Sequence, residues 1–516
     1  MYSKTAFLGL LIVATIGAQL VAQEQLVAQE QLVAQEQLAP QKLPAAQTQP
    51  PLSGAPTVRP NVLFIAIDDL NDWVGCLQGH PQVKTPNIDA LAARGVNFTN
   101  AHCQAPICNC SRVSLLLGKL PSTTGMYFLA PNFRQVERTR DEITLPQYFR
   151  QQGYYTSTCG KIFHGKADER SFDHIEPERG WRRGPEKLNY KLPDAHPLWD
   201  WGEVNVPDEE QRDYQTASWA ADELQKVSKG DKPFFLAVGF HLPHVPIYAS
   251  KKWFDMYPLD EVQLPPSLAS DIDDLSEYSQ QLTLNPTAPR HTWMVENDQW
   301  RQAVRAYLAT NSFVDSLVGM VLDGLEKSGV ADNTIVVLWS DHGFHLGEKL
   351  RWAKRSLWEE TTRVPLIFAG PGIKTGKCSR AVALLDVFPT LIEQCDLPVK
   401  EDLEGRALTP LLENPSSLWW ERPALTTFGP DNHTLRTEDW RYIRYSDGSE
   451  ELYDHRNDPN EWKNLASDPS LADLITKLRG WLPETNADPL PGSKGSDSPL
   501  YGEGGDTTLD ELMRKK

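Results

Sequence analysis

The sequence predicts an α/β fold, with a large mostly parallel sheet sandwiched by helices and a smaller C-terminal antiparallel-sheet subdomain. Strand-length apolar runs recur along the chain and end in polar residues. Helical stretches alternate with them, and beyond about residue 396 the pattern changes to short paired strands. Alternation of this kind leads to a parallel sheet covered on both faces.

The elements follow in order. Pro60-Asn61-Val62-Leu63-Phe64-Ile65-Ala66-Ile67-Asp68-Asp69 reads as a buried parallel strand with two carboxylates at its C-terminal end. Ligands of open α/β sheets gather at that edge. Thr85-Pro86-Asn87 opens a helix with proline in its first turn, and Leu145-Pro146-Gln147 opens another. Residues 154–161 are a strand running into the Gly160 turn, and 233–241 are a buried strand ending in His241. A long amphipathic helix covers 300–326, and 334–342 form a further strand closed by Ser340-Asp341-His342. In the C-terminal part, 440–445 and 451–453 flank Asp447-Gly448, a hairpin signal, and 469–482 read as a helix.

The 516 residues carry 69 acidic against 51 basic side chains, a formal charge of −18. That balance argues against general affinity for nucleic acid or anionic membrane. An anionic substrate then needs a local basic pocket. At the N-terminus Lys4 precedes an apolar run over 6–18 that ends in Gly17 and Ala18. This reads as an export signal over 1–22, short for a membrane span, with an uncleaved anchor as the alternative, and points to a periplasmic or extracellular destination. Val-Ala-Gln-Glu-Gln-Leu repeats three times over 21–38 and a Pro-, Gln- and Ala-rich stretch follows, so 23–58 form a low-complexity spacer. The expected organisation continues with a catalytic domain over 59–396, an α+β subdomain over 397–483 and a mobile acidic tail over 484–516. Seven cysteines, at 76, 103, 108, 110, 159, 378 and 395, are compatible with disulfides in an exported chain, Cys378 and Cys395 offering a local pair.

The polar residues that close the strands carry the chemistry. Asp68, Asp69 and Asp341 at one sheet edge make a hard-cation site, because three adjacent carboxylates repel one another unless a cation joins them. Lys161 and His164 follow one strand in Gly160-Lys161-Ile162-Phe163-His164, His241-Leu242-Pro243-His244 ends another, and Lys354 follows in Arg351-Trp352-Ala353-Lys354. Cys108-Asn109-Cys110-Ser111-Arg112 sets a nucleophile four residues before a cation, ahead of a helix-like run to Gly118.

In this order the motifs resemble the type I, formylglycine-dependent sulfatases of the alkaline-phosphatase superfamily, and most closely the members similar to iduronate-2-sulfatase. The resemblance runs from about residue 60 to 465, with Leu346-Gly347-Glu348 and the segment from Leu452 to Glu461 among its carriers. It implies an exported sulfuric ester hydrolase acting on a sulfated carbohydrate, a 2-O-sulfated uronic acid being one candidate. In the family's Cys-x-Pro-x-Arg pattern the cysteine becomes formylglycine. Cys108 and Arg112 match, while Cys110 stands in place of the proline, a departure that bears on maturation. The resemblance further implies one calcium ion held by Asp68, Asp69, Asp341, His342 and the oxygen derived from Cys108. Arg112 would orient the residue-108 diol, and Lys161 and Lys354 would bind sulfate oxygens. His164 would be the base in sulfate release and His241 the acid toward the leaving alcohol. His244, His345, Arg436 and His433 are further candidates for substrate contact, and a formylglycine-generating or other maturation enzyme is an expected partner. Two other readings use the same residues: a phosphodiesterase or phosphonate hydrolase on the same fold, and a non-catalytic sugar-binding relative if Cys108 is not matured.

Overall fold

The structure, a computed structural model, describes residues 59–184, 186–192, 195–495 and 500. The export signal and spacer expected over 1–58, and most of the tail beyond 495, lie outside the described residues. Eight strands make the main sheet: β1 Asn61–Asp68, β2 Val96–Phe98, β3 Tyr155–Gly160, β4 His174–Ile175, β5 Phe234–Pro243, β6 Thr334–Ser340, β7 Leu366–Ala369 and β8 Gly376–Cys378. Their spatial order is β8-β2-β7-β6-β1-β5-β3-β4. Neighbours are parallel except around β7, which runs antiparallel to β6 and β2.

β1 lies inside the sheet because both of its faces are apolar. Side chains alternate across a strand, so Val62, Phe64 and Ala66 enter one core while Leu63, Ile65 and Ile67 enter the other. Helices α1 Pro86–Ala93, α2 Cys108–Leu117, α3 Leu145–Gln151, α4 Arg212–Val227, α5 Trp300–Ser328 and α6 Val387–Gln394 supply the covers. α2, α3 and α6 pack on the first face, and α1, α4 and α5 on the second. The expected sandwich is therefore present.

Four strands, β9 Ala424–Thr427, β10 His433–Arg436, β11 Trp440–Arg444 and β12 Glu450–Asp454, form the antiparallel C-terminal sheet in sequence order. Helix α7, Ala472–Arg479, closes a small core there: its Ile475 and Leu478 meet Leu435, Tyr442 and Leu452 of the strands. Among the described residues no helix is long and apolar enough to cross a membrane.

Two expectations are corrected. Cys378 and Cys395 are not bonded to each other; all seven cysteines are free thiols. Cys378 ends the edge strand β8, whereas Cys395 follows α6 and interacts with the Tyr154 hydroxyl. The tail is anchored as far as Lys494. Ala487 and Leu490 donate backbone hydrogen bonds to Ser122 and Gly125, and Lys494 bridges to Ala130. Leu490 is the reason, since it gives an otherwise polar run an apolar side chain that enters the main core.

Candidate active site

Parallel neighbours put the C-terminal ends of β1, β3, β5 and β6 along one edge. At the end of β1 the chain turns sharply, with Asp69 at φ 62°, a left-handed conformation that aspartate tolerates better than most residues. Tyr307 of α5 donates to the Asp69 carbonyl at 2.7 Å, and the Asp69 amide donates to Asp341 Oδ1 at 3.1 Å. These bonds hold Asp68 and Asp69 fully buried beside Asp341, which follows β6. Lys161 arrives from the end of β3. Its backbone lies so close to β5 that a Cβ on Gly239 would come within 2.3 Å of the Lys161 carbonyl. Glycine there is what lets the turn settle, and Lys161 Nζ donates to Asp68.

Helix α2 delivers Cys108 as its first residue and Arg112 one turn later. The buried guanidinium donates from Nε to Asp341 Oδ2 at 2.7 Å, from Nη2 to Asp68 Oδ1 at 3.3 Å, and from Nη1 to the carbonyls of Lys161 and Ile162. It thus ties two carboxylates to the Lys161 turn. The Cys108 sulfur occupies the place of the oxygen that a formylglycine hydrate would present. Sγ lies 2.9 Å from Lys354 Nζ, 3.2 Å from His342 Nε2 and 3.9 Å from Asp69 Oδ1. Lys354 Nζ also donates to Asp69 Oδ1 at 2.7 Å. Cys110, two residues along, faces the core instead, with Sγ 3.1 Å from the Tyr127 carbonyl.

Burial and charge set the protonation states. Burial opposes ionisation of Asp68, but Lys161, His244, Arg112 and Lys354 together outweigh it and hold the carboxyl well below its usual range. Asp69 moves the other way, raised by burial and by its neighbours Asp68 and Asp341 against the pull of Lys354. The Cys108 thiol is pushed up to about 12 by burial and by Asp68. An unmodified cysteine is therefore protonated here at neutral pH and a poor nucleophile. His164 is lowered to about 4 by burial and then by Lys161, an electrostatic contact that sets it beside the cluster.

The donor set fits a divalent cation. Ligand atoms of Asp68, Cys108, Asp341 and His342 all lie within 4.8 Å of one another, and Asp68, Asp69, Cys108 and His244 form an overlapping group. Asp69 Oδ2 is buried with no hydrogen-bond partner, a costly arrangement that a cation relieves. All five residues expected around the metal are thus in one place.

His244 belongs to the second of these groups, and His241, on β5, precedes it by three residues. Ile67 pairs with Phe240 but Asp68 pairs with Pro243, so His241 and Leu242 bulge out of the ladder between β1 and β5. Asp213, in the first turn of α4, accepts the amides of both bulged residues at 2.9 and 2.7 Å. His241 Nε2 lies 2.7 Å from Glu178 Oε1. Burial disfavours the charged form of His241, and the hydrogen bond to Glu178 offsets part of that. Glu178 is held at about 2: burial would raise it, but the hydrogen bond and charge of His241 and the charges of Arg212 and Arg182 prevail. His241 and His244 line an open pocket with Trp181, Arg182, Arg212 and Tyr248. No sequence motif marked Glu178 or Asp213; Glu178 sits in a loop, and an acid in a helix's first turn is commonplace.

Three expected contacts fall elsewhere. His345 is buried, with Nε2 2.8 Å from Ser356 Oγ, among Arg351, Glu461 and Lys349. Arg436 is committed to Glu359, 3.0 Å from Nε, and to the carbonyls of Thr437 and Glu438. His433 pairs with Thr427 inside the C-terminal sheet. Each was expected at a substrate-facing surface, and each is instead consumed by packing.

Comparison with known proteins agrees with this geometry. The sulfatase family model matches residues 60–397, and that of the N-sulphoglucosamine sulphohydrolase C-terminal region matches 347–488. A sulfatase of Formosa agariphila is 41% identical over 445 residues, covering 83% of this chain and 87% of its own. Iduronate 2-sulfatase of Homo sapiens is 35% identical over 335 residues, 60% of either chain, a moderate resemblance. Among solved structures, a 2-O GAG sulfatase superposes with a TM-score of 0.65 at 25% identity, covering 85% of this chain and 98% of its own. The chain belongs to the sulfatase family, the formylglycine-dependent hydrolases of the alkaline-phosphatase superfamily.

Proposed function

We propose that the protein hydrolyses sulfate esters of a sulfated carbohydrate, with a 2-O-sulfated uronic acid as the leading substrate class. One observation carries the reading: Cys108 is the first residue of α2 and lies among Lys354, His342 and Asp69 in a buried cluster. The relatives named for iduronate 2-sulfate and for 2-O GAG sulfate support the sugar and the position.

Cys108 is the residue that would carry the formylglycine, which when hydrated would supply a nucleophilic oxygen and a second hydroxyl for expulsion of the sulfate. A divalent cation, which we take to be one calcium ion, would be held by Asp68, Asp69, Asp341, His342 and residue 108, and supplies positive charge beside the reacting oxygens. Arg112 fixes the carboxylates and, through them, the position of residue 108. Lys161 and Lys354 face the sulfate oxygens and stabilise their charge in the transition state, each worth about 3–4 kcal/mol by analogy with single oxyanion donors. His164, lowered to about 4, is neutral at physiological pH and available to accept the diol proton during sulfate release. His241 protonates the leaving alcohol.

Cys108 is 2% exposed in the folded chain. We therefore assign its oxidation to a maturation enzyme acting before the cluster closes. From Lys4 and the apolar run over 6–18 we infer an export signal over 1–22 and a periplasmic or extracellular enzyme, which fractionation and N-terminal sequencing of the exported protein check. The function itself is tested by comparing sulfate and phosphate esters of one alcohol, followed by a panel of defined sulfated mono- and disaccharides. Preferential release of sulfate, greatest from a 2-O-sulfated uronic acid, is expected. A strong preference for the phosphate ester, or indifference to the saccharide, would reject the reading.

A further inference from the structure

The bulge in β5 makes His241 an unusually constrained side chain. Its backbone amide is held by Asp213, and its ring nitrogen Nε2 by Glu178 at 2.7 Å. Glu178 is itself oriented: Oε2 lies 3.4 Å from Arg182 Nη2 and 3.8 Å from Arg212 Nη1, leaving Oε1 for the imidazole. The charged and titratable groups around His241 are Glu178 and Arg182 from the loop after β4, Asp213 and Arg212 from α4, and His244 just beyond β5. Glu178 is an acceptor, so Nε2 carries a hydrogen in either charge state of the ring. Nδ1 is then the atom whose proton comes and goes, and His241 lines the open pocket together with His244, which is grouped with Asp68 and Asp69.

We propose that Glu178 is a positioning residue for leaving-group protonation: it fixes the His241 tautomer and favours the imidazolium that donates from Nδ1. This rests on the reading of His241 as the acid. As the S–O bond to the sugar breaks, its electron pair stays on the sugar oxygen while the nucleophile at residue 108 takes over the sulfur. The Nδ1 proton passes to that sugar oxygen, leaving a neutral imidazole still donating from Nε2 to Glu178. Water returns the proton in the next cycle. An ionised partner behind a histidine serves here as it does in other acid–base pairs, by stabilising the ring's positive form. Arg182 and Arg212 keep the carboxylate ionised and turned toward the ring.

The test uses matured enzyme and two sulfate esters: a sugar sulfate, whose alkoxide needs a proton to leave, and 4-nitrophenyl sulfate, whose phenolate does not. Glu178→Gln keeps the shape and removes the charge. It is expected to lower kcat/KM for the sugar sulfate on the order of 10²-fold, and for 4-nitrophenyl sulfate by less than about threefold. Because loss of the negative charge makes the imidazolium less stable, the alkaline limb of the sugar-sulfate pH profile moves to lower pH. The His241 ring titration followed by NMR moves the same way, by about one pH unit. Equal losses on both esters, or no loss on the sugar sulfate, would overturn the proposal for Glu178. His241→Ala separates the two claims. If it too spares the ester split, the acid assignment itself falls; if His241→Ala shows the split and Glu178→Gln does not, only the role of Glu178 falls.

Discussion

Among the described residues, the buried charge cluster at the sheet edge and a second one beneath the C-terminal sheet have similar spacing and opposite characters. At the sheet edge three carboxylates, Asp68, Asp69 and Asp341, meet three cations, Arg112, Lys161 and Lys354. Beneath the C-terminal sheet, Glu359 and Glu461 meet Arg436, Arg441 and His455. Each cluster contains acid and imidazole groups close enough to hold a metal ion. In the second, every carboxylate oxygen is already engaged. Arg441 reaches both glutamates, His455 lies 2.9 Å from Glu461 Oε1, and Glu461 Oε2 accepts the Glu359 amide at 2.9 Å. In the first, Asp69 Oδ2 has no partner, and His244, grouped with Asp68 and Asp69, lines an open pocket. Acidic spacing alone does not make a metal centre; unclaimed oxygen lone pairs do. The closed cluster joins the C-terminal sheet to the main body, through the Arg441 contacts with the Leu357 carbonyl and Thr362, and we assign it to stability rather than chemistry.

That division can be broken from either side. Cys108→Ala, at the heart of the open cluster, is expected to fold normally and to lose sulfate release on the order of 10⁴-fold or more, read by ion chromatography of sulfate; retained turnover would place the nucleophile elsewhere. Arg441→Ala removes the guanidinium that two buried carboxylates share and is expected to cost about 3–5 kcal/mol of stability, seen in denaturant melts, while the folded fraction keeps its turnover number. Glu461 is held down to about 2 by Arg441 and His455 against burial. Its contribution is present above the unfolded value and lost as pH falls from 4.5 toward 2, so acid unfolding should begin at higher pH in Arg441→Ala. Lys354→Ala is expected to lower kcat/KM about 10²–10³-fold without a comparable loss of stability; an equal fall in both would make Lys354 a structural residue.

Smaller effects sharpen the contrast. Adding calcium at about a hundredfold excess over its Kd should stabilise the wild type by about 2.7 kcal/mol, and Asp69→Asn should abolish that gain whereas Arg441→Ala should not. A calcium response lost in Arg441→Ala alone would move the metal to the second cluster. Arg436→Ala should cost only about 1–2 kcal/mol, because Glu359 retains Arg441.

The sheet edge was legible in the sequence because its determinants are local. A strand that is apolar on both faces must be covered on both, and its polar terminator then falls at the ligand edge, where Asp68, Asp69, Lys161 and Asp341 meet. Glu178 was not legible: its function depends on a bulge that turns His241 toward a loop in a different part of the chain. Arg436 and His345 failed for the opposite reason. Polar residues in short motifs look available until packing shows what they are bonded to, and Glu359 and Ser356 claim these two. The Asp458-to-Glu461 segment, carried by resemblance alone, proves to supply the acid that locks Arg441.

The proposed chemistry requires an oxidised side chain at residue 108. Mass spectrometry of the peptide containing it, from protein that turns over a sulfate ester, tests this most directly. An aldehyde or its hydrate is expected at 108 and an intact thiol at Cys110; a thiol at 108 in fully competent enzyme would overturn the assignment of the nucleophile.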